Sequence, residues 1–204
     1  MKEQPLLPLF YLPPVSYMAV LAMADEVLIE CHENYLKGTY RNRCELLSAT
    51  GNIAMSIPLK GGRDQHQPYR TTEISSAHRW QHIHYTSILS CYGSAPYFEH
   101  YIDYFRPYYD QSYRSLFDFN WQLLQLLIQL MKIDVKITFT DQHHKTAIGF
   151  TDMRQAFKPN QLHSYQASYL QVFSSDGLFD ARVSSIDLLM NCGPKSIDVL
   201  KKMC

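Results

Sequence analysis

Excess charge, closely spaced cysteines and long apolar runs are all missing from this chain. Its 19 basic and 19 acidic residues cancel, and the pI is about 7.1. No whole-molecule field therefore draws it to a nucleic-acid duplex. Five cysteines (Cys31, Cys44, Cys91, Cys192 and Cys204) are odd in number and form no C-x-x-C pair. That argues against a disulfide framework or a zinc ribbon and for a reducing compartment. His78 and His82 stand four apart, but no Glu follows His78 and no third ligand is evident, so no metal is expected. Gly61-Gly62 lacks the flanking pattern of a P-loop or a dinucleotide fingerprint, and no cofactor is expected. No window approaches the run of roughly 20 apolar residues that a membrane span needs. Near the N-terminus, Lys2 and Ala22-Met23-Ala24 mimic a signal peptide. However, Pro5, Pro8, Pro13 and Pro14 interrupt the stretch between them, and Ser16 and Tyr17 dilute it. A cytoplasmic protein with no integral membrane segment is the expectation.

Apolar residues make up 46% of the 204 and charged residues 19%, which is a globular composition with enough chain for a sizeable core. No repeat, linker or low-complexity segment divides it, so residues 1–204 are expected to form one domain. The 15 tyrosines suit polar or sugar-like ligands as well as core edges.

The pattern predicts an α/β fold of the mixed α+β kind, with a mixed β-sheet. Residues 8–11 predict a first strand, and Pro13-Pro14 opens a helix with Val15, Met18, Ala19, Ala22 and Met23 on one face. Glu26 to Cys31 predicts a strand too continuously apolar to have one wet face, giving a parallel β-α-β opening. A hairpin follows near 44–59, with its turn at Ala49-Thr50-Gly51-Asn52, and Pro58 places its second strand at an edge or ends it. Residues 60–70 read as a mobile loop able to act as a lid. A short strand at Thr72 to Ser75 leads to helices near 77–93 (capped by Ser76), 96–105 (ended by Pro107) and 115–131. Beyond these come a strand at Lys136 to Thr140, loop from 141 to 166, a strand at Tyr169 to Phe173 and a turn at Ser174 to Gly177. A helix from Ser184/Ser185 to Asn191 and a short terminal helix close the chain.

Between the apolar runs Val27-Leu28-Ile29 and Leu46-Leu47 lies a polar stretch, Cys31 to Arg43. Polar groups packed between core segments are costly to position unless they bind something. If Thr39 to Arg43 is extended, Arg41 and Arg43 share a face and offer two guanidinium forks to a phosphate or carboxylate. The alternative is a solvated loop whose arginines pair with surface carboxylates.

Several motifs in order carry a resemblance. They are Tyr11-Leu12-Pro13, Ala24-Asp25, Lys37 with Arg41-Asn42-Arg43, Gly51, and Ser56-Ile57-Pro58. Further along come Trp80 with His84, Tyr92 with Pro96-Tyr97-Phe98, Asp118-x-Asn120, and Ser185-Ile186-Asp187-Leu188-Leu189 with Asn191 and Gly193. With these the chain resembles the WbqC-like proteins of bacterial surface-polysaccharide loci over nearly its whole length. It departs from their pattern at Leu9-Phe10 and at His32-Glu33-Asn34. The resemblance implies a role in O-antigen or related glycan synthesis, with glycyl, aminoacyl or acyl transfer to an activated amino sugar as its suggested activity. The implied partner is a nucleotide- or lipid-linked sugar or an acyl or aminoacyl donor, and self-association is compatible with it.

Such a transfer needs a base, donors for a developing oxyanion and cations for a phosphate-bearing carrier. His32, at the end of a strand, is the first candidate base, and a histidine merely hydrogen-bonded in a loop is the alternative. His84, one helical turn after Trp80, is the second, against simple packing beside that ring. Asn34 and Asn42 are candidate donors, Lys37, Arg41 and Arg43 candidate phosphate ligands, and Trp80, Asp118 and Asn120 further candidate binding residues. For Asp118 the favoured reading is helix-start or buried hydrogen bonding, and Ser185 and Asp187 read as a capped helix start. Cys31 beside His32 is a poor nucleophile, since adjacent strand residues point to opposite faces. A non-catalytic binding or assembly protein of the same pathway is the competing reading.

Overall fold

A computed structural model describes residues 4–62, 66–143, 149–159, 167–174 and 179–203. The opening is β1 (Gln4–Pro8), α1 (Val15–Met23) and β2 (Glu26–Glu30), with β1 and β2 parallel and Leu6 opposite Leu28. β1 lies earlier than the predicted 8–11. The apolar run continues through Leu9, Phe10, Tyr11 and Leu12, but as a buried loop in which Leu12 takes a φ of 40°. A continuously apolar run cannot show where a buried strand gives way to a buried loop.

Two more parallel strands complete the sheet, β5 (Lys136–Phe139) beside β2 and β6 (Phe150–Asp152) beside β1, in the order β5-β2-β1-β6. β6 falls inside the segment read as loop. It has only three residues, and its pairing comes from β1, which no local signal reveals. The antiparallel part is a separate hairpin, β3 (Arg43–Ser48) and β4 (Gly51–Ser56), whose Gly51 supplies the φ of 104° that the turn requires.

α2 runs Trp80–Tyr92, three residues shorter at its start than predicted and without a side-chain cap. Ala77, His78 and Arg79 are exposed, and Trp80 is the first residue with a core contact to anchor the helix. α3 (Phe98–Asp110) passes through Pro107 instead of ending before it. Ile102, Phe105 and Tyr109 keep the buried stripe going past the proline, while the Asp103 carbonyl that loses its partner lies on the exposed side. α4 (Leu116–Leu130) is capped by the Ser115 hydroxyl, which accepts from the Asp118 N–H. α5 (Ser185–Cys192), capped by Ser184, and α6 (Ser196–Lys202) follow.

Residues 72–75 make only isolated bridges, Leu59 to Ile74 and Glu73 to Ser115. Tyr169 to Phe173 is not a strand. Its side chains hold it instead, with Tyr169 and Gln171 donating to the buried Asp187 carboxylate. The predicted turn at 174–177 lies mostly outside the described residues. One continuous apolar cluster joins the sheet, the hairpin and the helices. Among the described residues no helix is long and apolar enough to cross a membrane.

Candidate functional site at the sheet edge

All four sheet strands point their C-terminal ends the same way, and the chain leaves β1 toward β2 on one side but returns to β6 on the other. Ligands of open parallel sheets bind outside those ends where the order reverses. Glu30 closes β2 there and is fully buried. Its Oε1 accepts from the His32 backbone N–H at 2.8 Å and from the Thr140 hydroxyl at 3.0 Å. Its Oε2 lies 3.4 Å from Arg154 Nη1 and 3.5 Å from His143 Nδ1. A buried carboxylate is tolerated only with partners of this kind. Arg154 in turn grips Asp152 at the end of β6, with Nε at 2.9 Å and Nη2 at 2.7 Å, which holds the Asp152 carboxyl below its usual range. Glu33, Asn34, His143, Asp152, Arg154 and Gln155 line a cleft of about 310 Å³ over this network.

The polar stretch after β2 forms one wall. Thr39 to Asn42 is turn, not extended chain, so Arg41 and Arg43 do not share a strand face. Arg41 is buried, and its Nε and Nη2 both donate to Glu33 Oε1. Its guanidinium sits 5.9 Å from the ring centres of Phe10 and Tyr69. Burial pushes the Glu33 carboxyl above its ordinary range, and the Arg41 charge pulls it partly back. Arg43 starts β3 and pairs with Glu45 at 3.1 Å. Asn42 accepts from the Tyr35 hydroxyl and donates to the Ile57 carbonyl. Asn120 donates to the Arg41 carbonyl and the Tyr69 hydroxyl, both at 2.6 Å. Residues 67–69 clasp the stretch through Tyr35 N–H to Gln67 and Tyr69 N–H to Glu33, while 63–65 of the expected lid lie outside the described residues.

His32 is exposed on the rim, with Nε2 3.0 Å from the Thr140 carbonyl, and Asn34 lines the cleft. Lys37 is exposed on the same loop. Asp118 is exposed at the start of α4, beside a separate open cleft of about 490 Å³ that Arg70 also borders. Trp80 and His84 sit elsewhere, in a cleft of about 360 Å³ between β4 and α2. His84 is buried edge-on to Trp80, with ring centres 5.2 Å apart. Its Nδ1 lies 2.8 Å from the Tyr11 hydroxyl, which lies 2.8 Å from that of Tyr109. Burial pushes the His84 imidazole down to about 4, opposed by a hydrogen bond to the Ser56 backbone. A ring that donates to Ser56 through Nε2 accepts from Tyr11 at Nδ1, which is the neutral tautomer.

Sequence reasoning missed Glu30, His143, Asp152 and Arg154. Glu30 had a signal, an acid closing an apolar strand, whereas the other three lie in the segment read as loop.

The model of the WbqC-like protein family matches residues 9–158. The chain belongs to the WbqC-like family. It is also 24% identical over 219 residues to "Uncharacterized protein Rv1507c" of Mycobacterium tuberculosis (strain ATCC 25618 / H37Rv), covering 94% of each chain. No solved structure matches. The matched range contains all of the sheet-edge residues named above.

Proposed function

We propose that this WbqC-like protein is a transferase of surface-polysaccharide biosynthesis that moves an acyl or aminoacyl group onto an amine or hydroxyl of an activated sugar. The observation that supports this reading is the His143 imidazole, set against the buried Glu30 carboxylate and beside Arg154 at the C-terminal edge of a parallel sheet. With Nδ1–H toward Glu30, Nε2 is left as the base. His143 takes the acceptor proton as the acceptor nitrogen or oxygen bonds to the acyl carbon. The bond from that carbon to the donor heteroatom then breaks, and His143 returns the proton to the leaving group. Arg154 stabilises the negative charge on the acyl oxygen in between. His32, on the same rim, is the second candidate base.

The test incubates the protein with amino-sugar nucleotides and activated acyl and aminoacyl donors and looks for the product by mass. His143→Gln should lower kcat about 100-fold or more while sugar-nucleotide binding persists. If His32→Ala gives that loss instead, the base is His32. Sugar binding by the wild type without any product would favour the non-catalytic reading.

A further inference from the structure

Arg41, Arg43, Arg106, Arg114, Arg154 and Arg182 each lie within ion-pair distance of a carboxylate. Among the described residues, only Arg70 and Arg79 have no such partner. Arg79 is exposed at the start of α2, away from the sheet edge. Arg70 belongs to the segment clasping the polar stretch. It is exposed yet held in place, with Nη1 donating to Cys31 Sγ at 3.4 Å and Cζ 5.6 Å from the Phe117 ring centre. Cys31 Sγ and His32 Nε2 both reach the Thr140 carbonyl, at 3.2 and 3.0 Å. The Thr140 hydroxyl continues the chain of hydrogen bonds to Glu30. Arg70 borders the neighbouring cleft with Glu73 and Asp118, is joined by these contacts to the buried carboxylate of the sheet-edge cleft, and among the described residues has no carboxylate within ion-pair distance.

An aromatic shelf lies beside it. The Phe117 ring is 5.8 Å from Phe139, and Phe139 is 4.9 Å from Trp121. Phe139 is 38% exposed although it ends a strand of the sheet, and Trp121 is half-buried. A guanidinium suits phosphoryl oxygens, and a wet aromatic face suits a flat heterocycle.

We propose that Arg70 and the accessible rings of Phe139 and Trp121, backed by the buried Phe117, hold the nucleoside diphosphate of a nucleotide-activated sugar, with the sugar reaching the Glu30–His143–Arg154 cleft. The diphosphate sits on Arg70 and the base stacks on Phe139. This rests on the sheet edge being the substrate site.

The test is calorimetric titration of the full chain at low salt with uridine, guanosine, thymidine and adenosine diphosphates, pyrophosphate and geranyl diphosphate. At least one nucleoside diphosphate should bind. Arg70→Gln should weaken both it and pyrophosphate tenfold or more, and Arg79→Gln should change neither. Phe139→Ser should weaken the nucleotide severalfold and leave pyrophosphate unchanged. Equal affinity for wild type and Arg70→Gln, or no binding of any probe, overturns the proposal. Tighter binding of geranyl diphosphate than of every nucleotide overturns the nucleoside assignment in favour of a lipid-linked carrier. Nucleotide binding that depends on Arg70, without any transfer product, keeps this seat and removes the transferase reading.

Discussion

The Glu30 network at the sheet edge and the Tyr11–His84–Tyr109 cluster behind the hairpin answer the same problem in opposite ways. Both bury groups that could be charged. At the sheet edge buried carboxylates are paired with guanidiniums: Glu30 with Arg154, Glu33 with Arg41. Behind the hairpin the groups are kept neutral, two phenols and an imidazole whose protonation burial opposes. Partners set the choice. Cations stand within reach of the buried carboxylates at the sheet edge, whereas the tyrosines of the second cluster are packed among Trp80 and Phe119, with His84 between them and the cleft beside β4. Charged pairs at an open edge can regroup around a ligand, and a neutral buried chain holds the core in register.

Three changes would break or sharpen this contrast. The largest effect is expected at Arg41→Ala, which leaves the buried Glu33 carboxylate without its guanidinium partner. The loss should be about 3–5 kcal/mol of unfolding free energy in urea titrations. The double replacement Glu33→Leu with Arg41→Met should recover most of it, and a double variant no better than the single would mean that the pair itself stabilises the fold.

Next comes pH. His84 has a folded pKa of about 4, below its ordinary 6.5, so the fold binds the neutral ring. Its contribution is fully present above pH 6.5 and is lost as pH falls toward 4, amounting to about 3 kcal/mol. Urea titrations at pH 7.5 and 4.5 should show the wild type losing more stability between the two than His84→Gln does. Equal losses would count against a buried neutral imidazole.

The smallest effect is expected at Tyr109→Phe. It removes the hydroxyl 2.8 Å from Tyr11 and should cost about 1 kcal/mol. Its stability loss should be the same at both pH values, because no ionisable partner is exposed by it.

Much of the frame was legible from local pattern. The β-α-β opening, the hairpin around Gly51 and the apolar helix near 115–131 are each written in a few neighbouring residues, where periodicity or a Gly-containing turn decides the outcome. The course of α3 through Pro107 was not legible. A proline's local cost is outweighed there by core contacts of Phe105 and Tyr109. Nor was β6, whose pairing partner is about 145 residues away. Of the site, the sequence pointed to the stretch after β2, and the structure places His32, Glu33 and Asn34 of that stretch at the sheet edge. Arg41, marked for the same reason, is buried against Glu33 and Thr39, and Asn42 donates to the Ile57 carbonyl.

By itself, then, the sequence determined the order and kind of most elements and drew notice to the residues that follow β2. Only the tertiary structure decided which polar side chains meet. Glu30, His143 and Arg154 are spread over more than 120 positions and share no local pattern. They come together because parallel strands must be joined by long crossovers, so that the C-terminal ends of distant strands meet at one edge. Whether an arginine is a ligand or a buried partner depends on the same packing, since a guanidinium's role is set by whichever carboxylate the fold places beside it.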